Sequence, residues 1–288
     1  MKCKMPSKNS EIQIFLSLFI LLFTSSCSKK LEDNTHDACW GTYGHMPAQL
    51  YYIETTEGDV CFQRPIYDNG ILISAYINFF GHDANHYYKY SEDSIVMLVS
   101  SREGYTIEYT YYMHNGIIHK CKSHDSRAGT SIDGLYDDTQ VLFQHDNQGR
   151  LTLIKKYVDE SRFISEYEWN SIDNIIAIHD TLFFKNDKGE EQMSYANHYS
   201  YKYESYKGYK PLFPLIHISP MSAPNYIFAL DPILIAEGYF GKVIPNQLPV
   251  EQKSKFSTEY LSYTIDRDGK IIEAHNESRN YSSYILTW

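Results

Sequence analysis

The stretch FISEYEWN, Phe163 to Asn170, decides the fold. Phe163, Ser165, Tyr167 and Trp169 alternate in it with Ile164, Glu166, Glu168 and Asn170. A period of two, with bulky side chains on one face and charged ones on the other, marks a half-buried antiparallel strand. The same alternation recurs on either side. Tyr105, Ile107, Tyr109 and Tyr111 would share one face, with Thr106, Glu108 and Thr110 on the other. Tyr199, Tyr201 and Tyr203 alternate with His198, Ser200, Lys202 and Glu204. Long segments with a helical period are nearly absent.

Turn signals sit between these runs. Asp68-Asn69-Gly70 and His114-Asn115-Gly116 carry the Asn-Gly pair that supplies positive φ in tight hairpins. Asp146-Asn147-Gln148-Gly149 and Asn186-Asp187-Lys188-Gly189 make slightly longer turns. A loose unit runs from an aromatic through Asp/Asn and Gly/Asp to Ile/Leu. It fits Phe143 to Leu151, Tyr167 to Ile175 and Tyr263 to Ile271, at uneven spacing. The expected fold is therefore all-β: an antiparallel meander forming a strongly curved sheet or half-barrel. Seven of the ten prolines fall between Pro211 and Pro249, so the meander is interrupted there by one or two short helices near 226–241. Asp231-Pro232 has the form of an N-cap followed by proline at the first helical position. Ile233 to Glu237 would follow as a short apolar helix, stopped by Gly238 or Gly241, that plugs the open side of the sheet. Strands return at Glu259 to Asp266 and Lys270 to Glu277, and the chain ends on Tyr281 to Trp288.

The first 27 residues form an address. Lys2, Lys4 and Lys8 precede the apolar run Ile12 to Phe23, and Thr24, Ser25 and Ser26 lead to Cys27. The run is shorter than the ~20 residues that cross a bilayer, so it reads as a signal peptide. A cysteine directly after such a small-residue box resembles the bacterial lipoprotein signal. That resemblance implies cleavage of residues 1–26 and acylation of Cys27 by fatty acids such as palmitate. Ordinary secretory cleavage, with Cys27 incidental, is the alternative. Several acyl chains, at ~0.8 kcal/mol per buried CH₂, would hold the domain on a membrane. Residues 27–38 are polar and suit a flexible tether, leaving 39–288 as a single β domain. Ser28 stands where the Asp of an inner-membrane retention signal would be, which favours the outer membrane, with the periplasmic or cell-surface face open.

With 288 residues and 43% hydrophobic content, the chain is long enough for a sizeable core. The net charge of −10 becomes −12 once three lysines and Glu11 leave with the signal, which argues against nucleic acid as a partner. Among five cysteines, Cys39, Cys61 and Cys121 would remain beside Cys27 in an oxidising compartment. A Cys39–Cys61 disulfide would pin the chain's entry to the first strands; three reduced, partly buried thiols are the alternative.

Motifs for chemistry are scarce. No Gly-x-Ser-x-Gly elbow, phosphate loop or dinucleotide fingerprint occurs. His82 and His86 are four apart, but Gly81 and Asn85 suggest a loop with exposed histidines. His119 and Cys121 would share a strand face, near His124 and Asp125, without an evident fourth ligand. Asp266-Arg267-Asp268-Gly269 is more simply a turn than a calcium loop. Asp137-Asp138 and Glu190-Glu191 could serve a glycosidase only at a set spatial separation. The expectation is no catalytic residue, no metal and no cofactor. The 27 tyrosines suit sugar stacking or protein contacts, or simply the packing of a pleated sheet.

FQHDNQGRLTLI (143–154), YEWNSIDNIIAI (167–178), GYFGKVIPNQLP (238–249) and YTIDRDGKIIEA (263–274), in that order after the lipobox, resemble a family of lipoproteins from Bacteroides-like bacteria. That family carries a domain of unknown function with a porin-like β fold. The resemblance covers roughly Asp137 to Trp288 and brings no site residues with it. The leading expectation is a non-enzymatic binding or accessory module for a glycan, peptide or envelope protein, held to the outer membrane through its N-terminal lipid. The alternatives are a carrier of an apolar ligand in the concave sheet and a glycan hydrolase using paired carboxylates.

Overall fold

Alternation becomes a ladder. The structure, a computed structural model, describes residues 49–53, 60–79, 82–102, 104–127, 139–158, 161–186, 188–211, 230–278 and 282–287. The segments expected to be signal (1–26) and tether (27–38), with Cys27, Cys39, the Cys61 side chain, Asp137-Asp138 and Trp288, lie outside the described residues.

The first half contributes β1 (Gln49–Ile53), β2 (Val60–Asp68), β3 (Ile71–Phe79), β4 (His82–Tyr90), β5 (Ser94–Ser101), β6 (Thr106–His114), β7 (Ile117–Asp125) and β8 (Thr139–His145). Then come β9 (Leu151–Val158), β10 (Ser161–Trp169), β11 (Ile175–Lys185) and β12 (Glu191–Glu204). A helix, α1 (Pro232–Ala236), precedes β13 (Leu248–Lys253), β14 (Thr258–Ile265), β15 (Ile271–Asn276) and β16 (Ser282–Thr287). Each strand pairs antiparallel with its sequence neighbours, and β1 also pairs with β16, Gln49 opposite Thr287 and Ile53 opposite Ser283. The expected meander is therefore present, and its curvature runs to closure as a barrel, sixteen strands of which lie among the described residues. Closure leaves no edge strand exposed.

The tight hairpins have the expected chemistry. Asn69 and Gly70 (φ 50° and 79°), and Asn115 and Gly116 (φ 51° and 75°), take positive φ at both central positions, matching the twist of the strands they join. The alternating faces fall as the sequence implies: Tyr109, Tyr111, Tyr167, Tyr199 and Tyr201 are buried, whereas Thr106, Glu108, Glu166, Glu168 and Lys202 are exposed. A barrel of this many strands encloses an aqueous channel unless something fills it. Here, among the described residues, inward tyrosines and the segment around α1 pack into the interior. Ile233, Leu234, Ala236, Phe240 and Val243 are all 0% exposed and join one core with Ile95, Met97, Tyr111, Ile118, Phe143, Leu151 and Ile271.

The plug helix lies within one residue of its expected span. Asp231 caps it, Oδ1 accepting from the backbone N–H groups of Ile233 (2.8 Å) and Leu234 (3.0 Å), and Gly238 (φ 84°) ends it. Backbone bonds then fasten the plug to the barrel's turns: Ile118 N–H to the Tyr239 carbonyl (2.7 Å), Leu151 N–H to that of Lys242 (3.0 Å), and Lys242 N–H to that of Gly149 (2.9 Å). Lys242 and Arg150 both pair with Asp173. Asn174 and Gln247 exchange two hydrogen bonds, 2.6 and 3.0 Å. Gly241 is required at this contact: its φ is +66°, and a Cβ would lie 2.5 Å from the Gly149 carbonyl oxygen.

Two local expectations are corrected. His82 and His86 lie in β4 rather than in a loop, because the strand continues through Asn85, which faces outward. His86 is buried on the inner face, 1% exposed, with Nδ1 3.6 Å from Asp231. His119 and Cys121 do not share a face: β7 bulges at His119, which is skipped between the Tyr112–Lys120 and Met113–Ile118 pairs, leaving His119 exposed and Cys121 buried. Cys121 is a free thiol, and burial pushes its pKa up, so it is inert.

Candidate functional site

On the outer wall, four neighbouring strands build a groove of about 580 Å³. Thr110, Lys122, Gln140 and Tyr157 form its floor, each directly opposite the next across β6, β7, β8 and β9. Glu108 and Tyr112 flank Thr110 at the two alternate positions of β6, and His124 stands opposite Glu108. Ser123 and Thr139 close one end through a 2.6 Å hydroxyl–hydroxyl bond. Tyr157 is 37% exposed, and the Lys120 ammonium lies 5.7 Å from the Tyr112 ring centre. The groove thus offers two tyrosine faces, hydroxyl and amide groups, and charges of both signs, side chains suited to binding an extended polar ligand. Among the described residues that line it, Glu108 is the one carboxylate, so the two facing acids of a glycoside hydrolase are not met there.

Inside the barrel a row of polar groups crosses three strands: Ser165 on β10 opposes Asp180 on β11, which opposes Asn197 on β12. Ser165 Oγ donates to Asp180 Oδ1 at 2.6 Å, while Oδ2 is buried without a partner. Asp180 is 1% exposed, and burial raises its pKa to about 6 against the opposing pull of Ser165 and His179. Lys156 on β9 is 4% exposed, and burial lowers its pKa to about 8. Both charges cost stability at neutral pH. The Asp180 penalty is full above its folded pKa of about 6 and is relieved as pH falls towards 4. The Lys156 penalty is full below about 8 and is relieved as pH rises towards 10.5. A displacement of two units corresponds to about 3 kcal/mol. Asp180→Asn keeps an acceptor for Ser165 but leaves its own amide unpartnered, so a net gain of about 2 kcal/mol is expected at pH 8. The gain should fade by pH 4.5; denaturant titration at both pH values measures it.

Among the described residues, those considered from sequence do not form a cluster that could hold a metal ion. Glu190 accepts from the Asn186 amide across a turn, and Glu191 pairs outward with Arg162 at 2.7 Å. Asp266 accepts from the backbone N–H groups of Asp268 and Lys270, as a turn requires. None of the groove residues carries a motif; the groove arises from which strands are neighbours.

The architecture has counterparts. A porin-like protein from Bacteroides uniformis ATCC 8492 superposes with a TM-score of 0.58 at 13% identity, over 85% of this chain and 98% of that one. A porin-like protein from Bacteroides vulgatus ATCC 8482 does so with a TM-score of 0.54 at 11% identity, over 85% and 99%. The fold is porin-like. No protein-family model and no curated protein matches the chain. At these identities the likeness concerns the fold alone.

Proposed function

We propose that this chain is a lipid-anchored envelope protein whose plugged porin-like barrel serves as a non-enzymatic binding or accessory module. It holds an extended polar ligand, a glycan or a peptide, in the groove across β6 to β9. The observation that carries this reading is the groove itself, with its two tyrosine faces and, among the described residues, a single lining carboxylate. The outer wall supports attachment beside a membrane rather than passage through it. Lys122, Glu166, Glu168 and Lys202 are exposed there, where a spanning barrel needs an apolar band and a mid-membrane charge costs about 2–4 kcal/mol. The filled end supports a closed body rather than a pore. Attachment falls to Cys27, and the porin-like counterparts from Bacteroides agree with an outer-membrane setting.

Glycan and peptide arrays probed with the full chain test the proposal. A ligand whose binding falls at least about tenfold in Tyr157→Ala and in Lys122→Ala is the expected result, since stacking on an aromatic face and a charge-assisted bond each contribute roughly 1–3 kcal/mol. Hydrolysis of a glycan that a single carboxylate change abolishes would overturn it. Intact mass of membrane-fraction protein tests the anchor: a lipid increment absent from Cys27→Ala is expected, and an unmodified chain would remove the anchor from the proposal.

A further inference from the structure

We propose that the outer wall holds a site for one first-row divalent cation between His179 on β11 and His198 on β12. The two histidines are directly opposed in register, and Glu166 on β10 opposes His179 from the other side. Their Nδ1 atoms face each other at 3.2 Å, with ring centres 4.5 Å apart and planes inclined by 40°. His179 Nε2 lies 2.9 Å from Glu168 Oε1. The Glu168 carboxylate can only accept, so in the neutral form of His179 the proton sits on Nε2 and the Nδ1 lone pair faces His198. His198 Nδ1 then donates across the gap.

That gap has the dimensions of a metal site. Imidazole nitrogens bind zinc at about 2.0–2.1 Å, and two of them in a tetrahedral or square arrangement are about 2.9–3.4 Å apart. The distance now bridged by a proton is the distance a cation bridges. Binding requires one change in the histidines: the His198 proton moves from Nδ1 to Nε2, so both imidazoles stay neutral and no proton is released overall. The Glu168–His179 bond is the outer-shell carboxylate that fixes tautomer and ring orientation in histidine metal sites. Exposed Glu166 and Glu168 place two negative charges beside the pair. Two neutral imidazoles select copper, nickel or zinc over calcium and magnesium, which take oxygen ligands. Among the described residues no group of three or more His, Cys, Asp and Glu side chains converges. The remaining coordination positions therefore belong to water or to a molecule that the cation recruits to this wall.

Copper(II) titrated into the full chain, purified without a polyhistidine tag, tests the site. One equivalent showing hyperfine coupling to two imidazole nitrogens is expected in the paramagnetic resonance spectrum. His179→Gln and His198→Gln should each weaken that binding at least about tenfold, and Glu168→Gln should weaken it about tenfold while keeping the two-nitrogen signature. His114→Gln, on an exposed hairpin end, should leave it unchanged. All four changes are on the solvent side, and an unaltered strand signature in circular dichroism confirms folding. Equal affinity in the wild type and both His179 and His198 variants, or a spectrum without two equivalent nitrogens, would overturn the proposal.

Discussion

Phe240→Ala is expected to lower the unfolding free energy by about 3–5 kcal/mol, the range for emptying a fully buried aromatic position. Phe240 is 0% exposed and meets Phe143 edge-on at 5.1 Å and Tyr111 edge-on at 6.0 Å. Truncation removes the apolar burial, both edge contacts and the side chain that wedges the plug between β6 and β8. The void cannot collapse easily, because the flanking backbone is tied to the wall by the Ile118–Tyr239 and Leu151–Lys242 bonds. Denaturant titration of the purified chain measures the change. Phe240→Leu should recover more than half of the loss, since it refills most of the volume. A loss below about 1 kcal/mol would mean that the plug does not pack as a core element.

The second large effect falls on Asp231, whose carboxylate does two jobs with its two oxygens. Oδ1 caps α1 by accepting from Ile233 and Leu234, and Oδ2 accepts from the Tyr88 hydroxyl at 2.9 Å. Tyr88 is 7% exposed, and its pKa stands well above the ordinary value through burial first and then the Asp231 charge. Asp231→Ala strips the cap, worth about 1–2 kcal/mol, and leaves a buried phenol without its acceptor, costing about 1–3 kcal/mol more. A total near 3–4 kcal/mol is expected in the same titration. Asp231→Asn should restore much of it, because the side-chain oxygen still caps and the hydroxyl of Tyr88 can turn to accept from the amide. Equal losses in the alanine and asparagine variants would show that charge, not hydrogen bonding, holds the plug to β4.

The charges inside and outside the barrel were not equally readable from sequence. Asp180 sits in HDT between alternating residues and looks like any turn-proximal acid, yet β11 turns it inward, where Oδ2 finds no partner. Nothing local announces that face, because β11 bulges at Ile176, skipped between the Trp169–Ile175 and Glu168–Ala177 pairs, and this resets the alternation just upstream. His179 and His198 are nineteen residues apart and escape any motif search based on close spacing. The signal that finds them is hairpin register: pairing β11 with β12 places the two side by side. His119 shows the converse, since strict alternation put it beside Cys121 and one bulge separated them.

Alternation, Asn-Gly turns and the Asp231-Pro232 cap are properties of neighbouring residues, so the sequence by itself determined the strands, most hairpins and the plug helix. These features act over two to four residues, the range in which backbone sterics and local hydrogen bonds set conformation. Closure depends on β1 meeting β16, segments more than two hundred residues apart, and therefore on the summed twist and stagger of every strand between them. Only the tertiary structure could decide that. The groove across β6 to β9, the orphaned oxygen of Asp180 and the facing imidazoles of His179 and His198 follow from the same cause. Each needs residues from separate strands in a particular register, and register is a cooperative outcome of the whole sheet rather than of any one strand.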